Sequence, residues 1–150
     1  MAQQAYDRTE ELLAEGEGQR VEFRRLPLDA EPEQSMAKTL VAFANSRGGT
    51  IMVGVEPDGR VVGVEGNWVE QRLLRIARER TLPAVRIHVR QAELRGKTVY
   101  LVMVPPSPLR PHRLASNLME YVREGRVVCE ASAPPLLRLV KLDRVEPLSG

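Results

Sequence analysis

Cysteine occurs once in these 150 residues, at Cys129, so no internal disulfide can form and packing with polar contacts must hold the fold. Cys129 lies in an apolar alternating run, which predicts a buried structural thiol rather than a reactive one. Aromatic residues make up 4% of the chain. Phe23 and Phe43 fall on core stripes, which leaves too few rings for the stacking platform that single-stranded nucleic acid uses. No run approaches the roughly 18 apolar residues of a membrane span, and the start Met-Ala-Gln-Gln-Ala-Tyr-Asp has neither the basic opening nor the apolar core of a secretion signal. A cytoplasmic protein without a membrane role is the expectation. Gly-x-Gly-x-x-Gly is absent. Gly96-Lys97-Thr98 ends like a phosphate loop, but Gln91 stands where its first glycine belongs and the run falls between two strands, which argues against ATP binding. His88 and His112 have no metal-ligand spacing.

What is present is ordinary globular material, 43% hydrophobic and 28% charged, in a length suited to one domain with a real core. The net charge of +2 says little, but its distribution is uneven. Residues 1–75 hold 9 Lys and Arg against 13 Asp and Glu, whereas residues 76–150 hold 13 against 7. Most of the cations are arginines, whose planar fork suits bidentate phosphate contact.

Periodicity predicts an acidic helix over about 5–15, a strand over 20–26, a helix over 33–46 and a strand over 50–55. A turn at Pro57-Asp58-Gly59 and a short strand to about 64 follow. Residues 67–80 read as an amphipathic helix opened by an Asn67 cap, with Val69, Leu73, Ile76 and Ala77 on one stripe. Runs 84–92 and 97–104 form a hairpin through Leu94-Arg95-Gly96, and 119–123 with 126–131 form another through Glu124-Gly125. Pro134 starts a last helix carrying Leu136, Leu137, Leu139 and Val140. The result is an α+β fold, one sheet with helices packed on a face, divided into an acidic helix at 1–15 and a body at 16–150.

The densest signal is Thr39 through Val55, where Met36, Leu40, Phe43 and Ala44 recur at helical spacing up to Asn45-Ser46-Arg47-Gly48-Gly49 and a β-branched run begins. Together with Arg20-Val21-Glu22-Phe23-Arg24, Asp58-Gly59-Arg60-Val61-Val62-Gly63-Val64, Val102 to Ser107, Arg110-Pro111-His112 and Glu120 to Gly125, this joint resembles the Schlafen-type AlbA-like domain. The ordered series spans about residues 16–140. The resemblance implies a nucleic-acid-binding module of the kind found in prokaryotic proteins described as transcriptional regulators. Large relatives pair two such lobes into a clamp, so it further implies a homodimer for a chain with one.

Eukaryotic relatives that cleave RNA hold two glutamates five residues apart and a third acid after the Gly-Val strand. The resemblance carries those roles to Glu17, Glu22 and Glu56, with Asp58 as the other choice for the third. Strand alternation puts Glu22 and Arg24 on one side, opposite Val21 and Phe23, as a metal-binding carboxylate beside a phosphate-binding arginine would need. Three such acids around Mg²⁺ or Mn²⁺ would activate water for phosphodiester cleavage. For binding, the candidates are Arg24, Arg25, Arg47, Arg110, His112, Arg113, Arg123 and Arg126, with the proline-rich loop 105–113 holding three of them toward phosphate. Backbone and shape readout of DNA or structured RNA is the first reading. Metal-dependent RNA cleavage is the second, and a dimeric interaction protein without nucleic acid the third.

Overall fold

The computed structural model describes residues 2–25 and 30–131. The described chain runs α1 (Ala2–Glu15), β1 (Val21–Arg24), α2 (Ala30–Ala44), β2 (Gly49–Val53), α3 (Val69–Arg80), β3 (Thr81–Leu82), β4 (His88–Leu94), β5 (Lys97–Val104), β6 (Arg113–Leu114), β7 (Tyr121–Glu124) and β8 (Val127–Glu130). The helix expected from Pro134 lies outside the described residues.

The main sheet has the order β1-β2-β5-β4, parallel between β1 and β2 and antiparallel elsewhere, so the fold is α+β with a mixed sheet. The sheet does not take in every strand. β3 pairs with β6 and β7 with β8 as separate two-stranded ribbons. The edge at β1 explains why no described strand adds there. The Arg20 carbonyl accepts from Thr50 of β2 and the Arg24 carbonyl from Gly54 just past it, so Val21 and Phe23 point their backbone groups outward. The Phe23 N–H donates to the Glu17 carboxylate at 2.9 Å, and the Val21 carbonyl accepts from Gly18 N–H at 2.9 Å and from Arg123 at 3.0 Å. Side chains and a turn therefore occupy the groups a fifth strand would need.

Each sheet face carries its own core. α2 and α3 cover one face, where Met36, Leu40, Phe43, Ile51, Leu73 and Val102 are buried. α1 covers part of the other, setting Leu13 against Phe23, Met52, Val99 and Leu101. The expected stripe of α3 is wholly buried, but the helix begins at Val69 with Trp68 at the cap position and no side-chain cap. The Asn67 cap is thus corrected: Trp68 already has helical angles and its carbonyl takes the first bond, from Arg72 N–H. α2 is apolar on every side over Leu40-Val41-Ala42-Phe43-Ala44, and all five are fully buried because β7 and β8 pack against the helix in addition to the sheet and α3. Cys129, expected to be buried, is half-buried on β8. Its burial and the adjacent Glu124 carboxylate push the thiol above its ordinary range.

The α2–β2 joint is as tight as expected. Gly48 takes a φ of +74° and its N–H bonds back to the Phe43 carbonyl, while a Cβ there would lie 2.6 Å from the Val104 carbonyl oxygen. A Cβ on Gly49 would meet the Phe43 ring at 2.4 Å. Gly48→Ala should therefore lose about 2 kcal/mol or more, from left-handed strain plus backbone collision, and lower Tm by roughly 5 °C or more. Gly59, with φ +91° but open space around it, supplies the comparison. Gly59→Ala should lose clearly less in the same thermal melt, and equal losses would show that close approach at the joint matters little.

Candidate nucleic-acid interface

Glu22 and Arg24 share one side of β1, as alternation predicts, but that side faces α2 rather than solvent. Glu22 is 8% exposed. One carboxylate oxygen accepts from Arg123 Nη1 at 2.6 Å; the other accepts from Arg24 Nε at 2.9 Å and from the Thr39 hydroxyl at 3.2 Å. Arg24 also donates to Thr39 Oγ1 at 2.8 Å and to the Ser35 carbonyl at 3.2 Å. Arg123, with a side chain 0% exposed, also donates from its other two nitrogens to the Gly18 and Val21 carbonyls and lies over the Phe43 ring, 4.4 Å from its centre. A carboxylate, two guanidinium groups and a hydroxyl thus satisfy one another between β1, α2 and β7.

This arrangement corrects the expected metal centre. Glu17 sits at the edge of β1, capping Phe23 N–H, while Glu22 sits on the face of the strand, and edge and face directions diverge. Glu56 pairs with Arg25 at 3.0 Å and Arg60 at 3.6 Å, and Asp58 caps Arg60 N–H in the turn. Among the described residues no group of three His, Cys, Asp or Glu is gathered for a metal ion. The donor set does not fit Mg²⁺ or Mn²⁺, because both Glu22 oxygens already hold cationic donors.

Arg123 and His112 are corrected as phosphate contacts, since both are buried. The His112 ring bonds through Nδ1 to the Pro83 carbonyl at 2.6 Å and through Nε2 to Ser107 Oγ at 2.6 Å. Pro83 O can only accept, so Nδ1 carries the proton and Ser107 donates to Nε2. Burial lowers the ring's pKa below its ordinary value, against a smaller opposing effect of the Pro83 bond. What turns this loop inward is Asn45, just past the end of α2. Its amide donates to the His112 and Tyr121 carbonyls at 3.0 Å each and accepts from His112 N–H at 2.7 Å. Sequence reading took Asn45 as part of a helix stop and missed this clamp.

The remaining candidates divide by their partners. Arg24 belongs to the buried network, Arg25 is exposed but paired with Glu56, Arg113 pairs with the buried Glu120 at 3.5 Å, and Arg110 is half-buried. Arg47 and Arg126 are exposed, and no ion pair or hydrogen bond among the described residues engages their side chains. Two clamps bring the segments carrying them together. Ser46 Oγ accepts from Arg123 N–H at 3.0 Å, and Gln19 donates to the Arg123 carbonyl at 3.0 Å while accepting from Gly125 N–H at 2.9 Å. The second clamp also delivers Arg20, exposed and equally without a partner among the described residues, which sequence reading did not select. Its signal was available: a cation one residue ahead of a strand that begins with buried valine. Glu124 and Glu130 are exposed on the same hairpin and carry charge of the opposite sign.

Two measurements check these assignments. Arg123→Ala leaves Glu22 buried beside one cation fewer and opens space over Phe43, so denaturant unfolding should show a loss of about 3–5 kcal/mol; a loss below about 1 kcal/mol would mean the pair is not buried in solution. His112 is held neutral in the folded state, so below about pH 6.5 the unfolded chain takes up the proton first. Its contribution to stability is complete above that pH and declines as pH falls. Wild type should lose more stability between pH 7.5 and 5.5 than His112→Gln does, and identical losses would contradict the burial of the ring.

The same architecture is found in solved structures. The N-terminal domain of a protein from Nitrosomonas europaea, described as related to the DNA helicase RecG, matches with a TM-score of 0.60 at 24% identity, over 87% of this chain and 90% of that one. The DIP2311 protein from Corynebacterium diphtheriae matches with a TM-score of 0.58 at 21% identity over 86% of this chain. This chain spans 26% of the DIP2311 chain's length. At such identities the likeness establishes the fold. No curated protein matches the sequence. The model of the Schlafen, AlbA_2 family matches residues 17–131, which takes in every described strand along with α2 and α3, and the chain belongs to that family.

Proposed function

We propose that this chain is a nucleic-acid-binding module that reads the backbone and shape of DNA or structured RNA through the end of the fold carrying Arg20, Arg47 and Arg126. The observation that supports this is the fate of the arginines. Others of the candidate set are neutralised by internal carboxylates, whereas these three are exposed, unpartnered among the described residues and carried by segments clamped together by Gln19 and Ser46. Guanidinium groups held on short, hydrogen-bonded segments lose less freedom on meeting phosphate than those on loose chains. The family and the RecG-related description of one structural neighbour agree with a nucleic-acid setting.

A role in transcriptional regulation and a homodimer belong to the same proposal, since a second copy would place a second arginine end on the same duplex. Metal-dependent cleavage of RNA has less support, because the carboxylates it would need are engaged separately.

Anisotropy titrations with duplex DNA and with hairpin RNA test the reading. If the three arginines release three counterions, affinity should fall roughly forty-fold between 50 and 200 mM salt. Replacing all three by alanine should weaken binding alike on unrelated sequences and flatten the salt dependence. Affinity that ignores salt, or a triple variant that binds as wild type does, would overturn the assignment.

A further inference from the structure

Among the described residues, the face of the sheet that α1 covers is not covered to its end, and the part left open is a cleft of about 480 Å³. Its floor is a single row across the sheet: Val21 pairs with Thr50, Thr50 with Met103, and Met103 with His88. All four line the cleft. One wall is a stripe of α1, because Arg8, Leu12 and Glu15 at spacings of four and three project on the same side of the helix. Pro105 and Pro106, which follow β5, also line the cleft, and Arg20 stands just ahead of β1.

The chemistry of these walls is divided. Leu12, Met103 and the two proline rings supply apolar surface. Arg8 and Arg20 are exposed, and no partner among the described residues engages either side chain. Thr50 and His88 add polar groups to the floor, and Glu15 sets one negative charge on the rim, against which an anion must be placed. Two free guanidinium forks suit a dianionic phosphate monoester better than a singly charged diester. The apolar walls suit a flat or cyclic body attached to it, and Glu15 and Thr50 suit the hydroxyls of that body. The volume lies within the range of small-ligand sites.

We propose that this cleft binds a phosphate monoester carried on a nucleoside-sized body, either a free nucleotide or the 5′-phosphorylated end of a nucleic-acid strand. The proposal shares Arg20 with the exposed arginine end but does not require duplex binding there. Arg8 and Met103 belong to the cleft and to none of the clamps around Arg47 and Arg126.

Calorimetric titration of the whole chain tests it with adenosine 5′-monophosphate, adenosine, inorganic phosphate, and one single-stranded oligonucleotide with and without a 5′ phosphate. The monophosphate should bind at least about tenfold tighter than either adenosine or phosphate alone, as loss of a charge-assisted contact implies. Arg8→Ala should remove most of that gain with an unchanged melting temperature, since Arg8 is exposed, and Met103→Trp should block the cleft. A 5′ phosphate that strengthens oligonucleotide binding assigns the strand end; a preference for the monophosphate assigns the free nucleotide. Absence of monophosphate binding at millimolar concentration, or full binding by Arg8→Ala, would overturn the proposal. Duplex binding retained by Arg8→Ala and lost on replacing Arg47 and Arg126 keeps the two surfaces separate, whereas an Arg8→Ala loss as large on duplex as on monophosphate would overturn the cleft as a site of its own.

Discussion

A carboxylate cannot be buried uncompensated, and much of this fold is arranged around that constraint at Glu22. Charge removed from water costs several kcal/mol unless opposite charge and hydrogen bonds replace the solvent. Arg123 satisfies one of the two oxygens, and because it comes from β7, the requirement fixes where the β7–β8 ribbon must lie. With that ribbon in place the last turns of α2 are enclosed on every side, Ser46 meets the ribbon's backbone, and Gln19 meets its turn. The pair need not add net stability to do this, since an apolar replacement of the same shape could match it. What the pair contributes is position, because a ribbon placed elsewhere would leave both charges unmet.

The functional consequence follows from the same geometry. Carboxylates that a relative's chemistry would point at a metal are here turned to other tasks: Glu17 closes a sheet edge, Glu22 anchors a ribbon and Glu56 holds Arg25, just past β1, and Arg60 of its own turn. With Glu22 neutralised from within, arginines at this end of the sheet remain available. Arg47 lies one residue from the Ser46 clamp, Arg20 one residue from the Gln19 clamp, and Arg126 one residue past Gly125. The clamps that complete the core therefore also set the spacing of the exposed cations.

Local pattern made much of this legible. The stripes of α2 and α3, the glycine joint and both hairpins depend on residues near in sequence, and those elements lie close to where periodicity placed them, although β4 begins at His88 rather than at residue 84. Alternation on β1 correctly put Glu22 and Arg24 together. It could not say what covers them, because the covering residue is 101 positions away in the case of Arg123. His112 repeats the lesson: its prolines suggest an exposed loop, but Asn45, 67 positions earlier, pulls the backbone inward. β3 and β6, two residues each, are too short to show a period at all and exist because each pairs with the other.

The central claim is that Arg20, Arg47 and Arg126 form the surface that meets nucleic acid while the Glu22 network stays closed behind it. Amide NMR of the labelled chain during titration with a short duplex tests it directly. The largest shifts should fall at residues 18–20, 46–48 and 124–127, with the signals of Thr39 and of the turn at residues 56–60 little changed. Shifts concentrated at the 56–60 turn, or spread evenly with none at the three arginines, would contradict it.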